Sequence, residues 1–75
     1  DKWKFEINVD EDGVYVVEAD WLVKVLGMVN LEDEESLGYF QRVLRQSGII
    51  DRLEEMGINE GDTVSILNFE FDYIR

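Results

Sequence analysis

Any chemistry in this 75-residue chain has to come from carboxylate, hydroxyl, amine and guanidinium groups. Asp and Glu number 18, Lys and Arg 7, and there is no His, Cys or Pro. Without imidazole or thiol there is no thiolate nucleophile, no histidine base and no zinc site of the usual nitrogen and sulfur kind. Ser36, Ser47 and Ser65 therefore lack a base of the triad type, and a Ser–Lys pair would fall to Lys24, for which no spacing argues. Paired carboxylates are the remaining acid–base option, as in glycoside hydrolysis, but a chain this short leaves little room for a substrate cleft. No glycine-rich loop ends in Lys and Ser or Thr, so phosphates cannot be cradled in the P-loop manner. Gly57 and Gly61 are spaced for turns instead.

Three groups could bind something. Asn8, Asp10, Asp12 and Gly13 match the first positions of a calcium loop, where alternate oxygen ligands precede an obligatory glycine. The twelfth position, which should be a bidentate Glu, is Ala19, and Glu18 falls one residue short. The flanks read as strands rather than helices, so an acidic hairpin loop accounts for these residues. Glu32, Asp33, Glu34 and Glu35 form the only charge run. It could hold magnesium weakly or meet a basic partner, but a solvated, dipole-favoured helix start is the simpler explanation. Arg42, Arg45 and Arg52 could form a basic stripe for an anion, or could pair with the many carboxylates. Glu32, Asp33, Glu34, Glu35, Arg42 and Arg45 are the candidate partner contacts. No residue is assigned a catalytic, cofactor or metal role.

The elements that would position these groups follow from periodicity. Trp3, Phe5, Ile7 and Val9 alternate with polar residues, a strand period, and Val14 to Val17 is a β-branched run. A three-residue loop, Glu11 to Gly13, pairs Val9 with Tyr15 and Ile7 with Val17. A two-residue loop would set Ile7 against Glu18 and split the apolar sets between faces. Asp20 reads as an N-cap. Leu22, Val25, Leu26 and Val29 then mark one face of a helix, with Gly27 weakening its last turn. A second helix starts near Asp33, with a buried stripe of Leu37, Phe40, Val43 and Leu44, and ends at Ser47-Gly48. A third runs from about Ile50 to Met56, with Leu53 and Met56 inward and Gly57 at its stop.

Asn59-Glu60-Gly61-Asp62 reads as a turn. Val64 and Ile66 then share one parity, while Phe69, Phe71 and Tyr73 take the other. A two-residue loop at Leu67-Asn68 resets it, so that Ile66 faces Phe69 and Val64 faces Phe71. A bulge within one long strand is the alternative. The order ββαααββ argues an α+β fold, a small antiparallel or mixed sheet of about four strands in two hairpins, with three helices on one face.

Residues 1–75 are expected to form a single domain, near the lower size limit for folding without staples. Trp3, Trp21, Phe5, Phe40, Phe69 and Phe71 are expected to supply its large buried areas. No apolar run approaches the ~20 residues of a membrane span, and there is no signal-peptide pattern. The absence of Cys leaves the redox compartment open. The chain opens on Asp1 rather than Met, as expected of a piece or processed product of a longer protein.

Several stretches together carry a family resemblance. They are Phe5-Glu6-Ile7, Met28-Val29-Asn30, Glu34-Glu35-Ser36 with Phe40, then Gly48, Leu53 and Gly57. Gly61-Asp62-Thr63-Val64, Ile66 and Phe69-Glu70-Phe71 close the series and are its most specific part. In order and spacing the chain resembles the C-terminal domain of the Obg family of GTPases. Such proteins carry a glycine-rich N-terminal domain and a central GTPase domain, and they act in large ribosomal subunit maturation and in stress and growth control. The resemblance implies a cytoplasmic, non-catalytic regulatory or interaction domain with no cofactor of its own. GTP and magnesium would belong to the GTPase domain, whose motifs these residues lack. Implied partners are the parent's other domains and the ribosome or a regulatory protein, with no membrane and no direct nucleic acid. The alternative is a free-standing acidic protein-binding inhibitor or nucleic-acid mimic.

The net charge of -11 argues against direct contact with phosphate backbones. It also sets up repulsion within one small body. Raising NaCl from about 0.01 M to about 1 M shortens the screening length from about 30 Å to about 3 Å. The thermal midpoint, followed by far-UV circular dichroism, should rise across that range. A flat midpoint would mean that the carboxylates do not strain the fold.

Overall fold

A computed structural model describes residues 3–74. Strands β1 (Glu6–Val9) and β2 (Tyr15–Glu18) lead into helices α1 (Asp20–Met28), α2 (Glu34–Gln46) and α3 (Ile49–Glu55). Strands β3 (Thr63–Ile66) and β4 (Phe69–Asp72) follow. They form one mixed sheet in the order β1-β2-β3-β4, and the fold is α+β as its patterning implied.

The first hairpin has the register that apolar matching demands: Ile7 lies opposite Val17 and Val9 opposite Tyr15. Its loop closes with Asp10 N–H donating to Val14 O at 2.9 Å. Gly13 sits at φ +82°, the left-handed position that a three-residue hairpin loop requires. The second hairpin turns at Leu67-Asn68, pairing Ile66 with Phe69 and Val64 with Phe71, so a tight loop rather than a bulge resets the parity. Between the hairpins, β2 and β3 run parallel, Val17 beside Ile66 and Tyr15 beside Val64. A parallel neighbour needs a crossover, and the three helices supply it.

The pleat then sorts the sheet into two faces. Ile7, Val17, Ile66 and Phe69 form one apolar row, and Val9, Tyr15, Val64 and Phe71 form the next. Leu22 of α1, Phe40 and Leu44 of α2, and Ile49 and Leu53 of α3 pack against them, every one almost fully buried. The opposite face carries Glu6, Asn8, Glu18, Thr63, Ser65, Glu70 and Asp72 and the apolar Val16.

Helix ends follow local chemistry. Asp33 caps α2, its Oδ2 accepting from Ser36 N–H at 3.1 Å, with Glu34 and Glu35 in the first turn. Ser47 ends that helix, and Gly48 at φ +91° turns the chain directly into α3. Asp20 differs from expectation: the N-cap of α1 is Ala19, and Asp20 is the first helical residue. Its carboxylate makes no cap hydrogen bond and acts through the helix dipole instead. The aromatic residues differ too. Phe40 is buried, whereas Phe5, Trp21, Phe69 and Phe71 are half-buried and Trp3 is exposed. Trp3 packs edge-on against Trp21 with ring centroids 4.8 Å apart, and Trp21 Nε1 donates to Lys4 O at 2.8 Å. These rings clamp the N-terminal segment to α1 rather than filling the centre.

Two measurements test this packing. Phe40→Ala should cost about 3–5 kcal/mol in urea unfolding, comparable to the total stability of a domain this small, roughly 5 kcal/mol. Leu67 holds φ +57° at the first loop position of the second hairpin, where a side chain is strained and glycine is usual. Leu67→Gly should therefore raise the urea midpoint, by about 0.5–1 kcal/mol of stability. A lower midpoint would show that the exposed Leu67 side chain stabilises more than its backbone strains.

Candidate interaction surface

The run Glu32 to Glu35 is exposed and lies at the entry to α2. Two of its members already have local tasks: Asp33 is the cap, and Glu32 N–H donates to Asn30 Oδ1 at 3.1 Å. Arg42 and Arg45 are exposed near the other end of the same helix. Arg45 follows Glu34 by eleven helical positions, about 16 Å along the axis. The fold thus places Glu32 and Asp33 just ahead of α2 and Glu34, Glu35, Arg42 and Arg45 along it, without gathering the six into a single site. Arg52 reaches Glu55 at 3.4 Å, the only ion pair among the described residues, and both side chains are more than half exposed, so the pair contributes little. In the first hairpin loop, Asp10 Oδ1 accepts from Asp12 N–H at 2.9 Å and Val14 N–H at 3.0 Å. That carboxylate organises its own turn.

Two surfaces emerge that local sequence did not single out. The first is the open face of the sheet. Glu6 and Glu18 stand opposite each other across β1 and β2, and Glu70 and Asp72 face Ser65 and Thr63 across β3 and β4. All four carboxylates are exposed. Like charges set directly opposite oppose folding slightly, so this face adds to the repulsion implied by the net charge.

The second is a half-open groove of about 610 Å³ between α2 and β4. Leu37 and Phe40 form one wall, Phe69 and Phe71 the other, and Leu31 and Ile74 also line it. The aromatic rings follow one another: Phe40 meets Phe69 edge-on at 6.2 Å, and Phe69 lies tilted against Phe71 at 5.6 Å. Leu37, read from periodicity as core, is half-buried because it lines this groove. Gln41, Arg45, Glu54 and Tyr73 add polar side chains to the lining, and Asp72 borders it. Glu54 Oε2 accepts from Tyr73 Oη at 2.8 Å, tying α3 to the chain just beyond β4. The signal in the sequence was the apolar stripe of α2 and the alternating Phe69 and Phe71. Such stripes ordinarily mean core, and only the packing shows that part of this one stays open.

These surfaces belong to a segment with well-defined relatives. The family model described as Domain of unknown function (DUF1967) matches residues 5–73. A protein named GTPase Obg from Ruminiclostridium cellulolyticum is 62% identical over 71 residues, covering 95% of this chain and 16% of that relative. GTPase Obg from Acetivibrio thermocellus is 54% identical over 65 residues, covering 87% of the chain and 15% of the relative. GTPase Obg from Alkaliphilus oremlandii is 45% identical over 75 residues, the whole chain and 17% of the relative. The chain therefore spans about one-sixth of the length of these curated relatives. It belongs to the DUF1967 family, the C-terminal domain of the Obg GTPases.

Proposed function

We propose that this chain is a non-catalytic regulatory or interaction module of an Obg GTPase, a protein acting in large ribosomal subunit biogenesis and in stress control. The observation that carries this reading is the coverage: the chain matches a fixed sixth of proteins named GTPase Obg at up to 62% identity. That context counts against a free-standing inhibitor or nucleic-acid mimic. The chemistry of the chain agrees with it. There is no phosphate-cradling loop and no nucleophile–base pair in the sequence, so GTP and magnesium belong to another domain of the parent. The described residues offer surfaces instead, an acidic sheet face and an apolar groove.

An accessory role in the cytoplasm follows from the same reading. The partners are the parent's own domains and, through them, the large ribosomal subunit or a regulatory protein. With a net charge of -11, the module does not grip ribosomal RNA directly. It engages protein, or holds the parent off RNA until the other domains bind.

Removing this segment from the full-length GTPase tests the reading. Co-sedimentation with large ribosomal subunits, or steady-state GTP hydrolysis in their presence, should change several-fold. The isolated chain should leave the fluorescence of a labelled GTP analogue unchanged. Unaltered ribosome association and hydrolysis after the deletion would remove the regulatory role, and nucleotide binding by the isolated chain would remove the non-catalytic one.

A further inference from the structure

β4 ends the sheet, and its free edge borders the groove. Tyr73, just beyond β4, donates its backbone N–H to Asp62 O at 2.8 Å and accepts from Gly61 N–H at 2.8 Å, so its main-chain groups face β3. In an antiparallel pair that direction alternates from residue to residue. The N–H and C=O of Glu70 and Asp72 consequently point out of the sheet, where no strand of the described residues lies. An extended edge with unpaired main-chain groups is a template for another strand.

We infer that the β4 edge and its groove accept an extended segment of a partner protein in which basic and apolar residues alternate. The main-chain groups of Glu70 and Asp72 would pair with such a strand. Its apolar side chains would continue the row of Ile66 and Phe69 into the groove, against Leu37 and Phe71. Its alternate side chains would emerge on the open face beside the Glu70 and Asp72 carboxylates, which a cation complements. Charge selects this occupant over a second copy of the chain. Pairing two β4 edges would set the Glu70 and Asp72 carboxylates of both copies side by side on one face, and acids at an edge oppose that contact. The net charge of -11 steers basic segments toward the molecule as a whole. This inference deepens the interaction-module reading and rests on it. Its test uses the 75-residue chain alone, so it can fail while the deletion experiment in the parent succeeds, and the reverse.

The probe is a capped hexapeptide of alternating arginine and valine, titrated into the isotope-labelled chain and followed by amide NMR. Expected are saturable shifts centred on Glu70, Asp72, Leu37 and Phe71, with amide exchange at Glu70 and Asp72 slowed about tenfold or more. Replacing the valines by serine should weaken binding about tenfold, because the groove then stays empty. N-methylating the peptide amides along one edge keeps charge and side chains but blocks strand pairing, and it should abolish the slowed exchange. The double substitution Glu70→Lys with Asp72→Lys, both at exposed positions, should weaken binding about tenfold or more. Shifts spread over Glu32 to Glu35 and the first hairpin loop, with no protection at Glu70 and Asp72, would overturn the proposal in favour of non-specific attraction. So would equal binding of the N-methylated peptide, or concentration-dependent self-association through β4.

Discussion

The parallel contact between β2 and β3 is the constraint on which the rest of this fold depends. Each hairpin is local, closed by a loop of two or three residues, and each helix is local. Among the strand pairings, that of Tyr15–Val17 with Val64–Ile66 is the one that joins the first third of the chain to the last. Because parallel strands cannot be joined by a tight turn, residues 19–62 must leave the sheet and return at its other end. Three short helices make that journey and cover the apolar face as they do so. The nearly complete burial of Val17, Val64, Ile66, Leu22 and Leu53 is one consequence. The other is a sheet with its two hairpins side by side and its outer strands, β1 and β4, left as edges.

Charge is distributed around this frame with local logic. Carboxylates at Asp33, Glu34 and Glu35 satisfy or complement the start of α2, and Asp10 holds its own loop together. The remaining acid has no such task. Glu6, Glu18, Glu70 and Asp72 cover the face that the helices leave open. The protein therefore keeps one side of its sheet wet and negative, at some expense to stability. A surface of this kind repels phosphate and its own copies, and it favours basic protein segments.

The groove beside β4 arises from a mismatch in coverage. Helix α2 spans the sheet far enough to bring Phe40 against Phe69, but Leu37 and Phe71 stay half-buried at the margin. The Tyr73–Glu54 hydrogen bond fixes the end of this margin by linking the chain after β4 to α3. An apolar slot, an unpaired backbone edge and two carboxylates thus occur together on one side of a small domain. None of the three would mean much alone.

Much was legible in the sequence because it is governed by neighbours. Apolar parity alone selects the register of both hairpins, since a shift by one residue would move Ile7 or Phe71 to the wet face. The stop of α2 at Ser47-Gly48, its start at Asp33 and the α+β class follow from caps and order. The family, too, could be read from short motifs in sequence. What tertiary structure alone decided are matters of long-range packing. Strand parity could not say whether β2 would meet β3 in parallel, because a mixed and an antiparallel sheet share the same alternation. Ile49 and Ile58 are almost fully buried because α3 is wedged under the sheet, while Trp3 is exposed despite its size. Asp20 fell inside α1 rather than capping it, one residue beyond what composition could resolve. The apolar stripe of α2 was written in its period of 3.6, but how much of that stripe the sheet would cover depends on where the crossover lets the helix lie. That placement turns Leu37 and Phe71 from core residues into the walls of a groove.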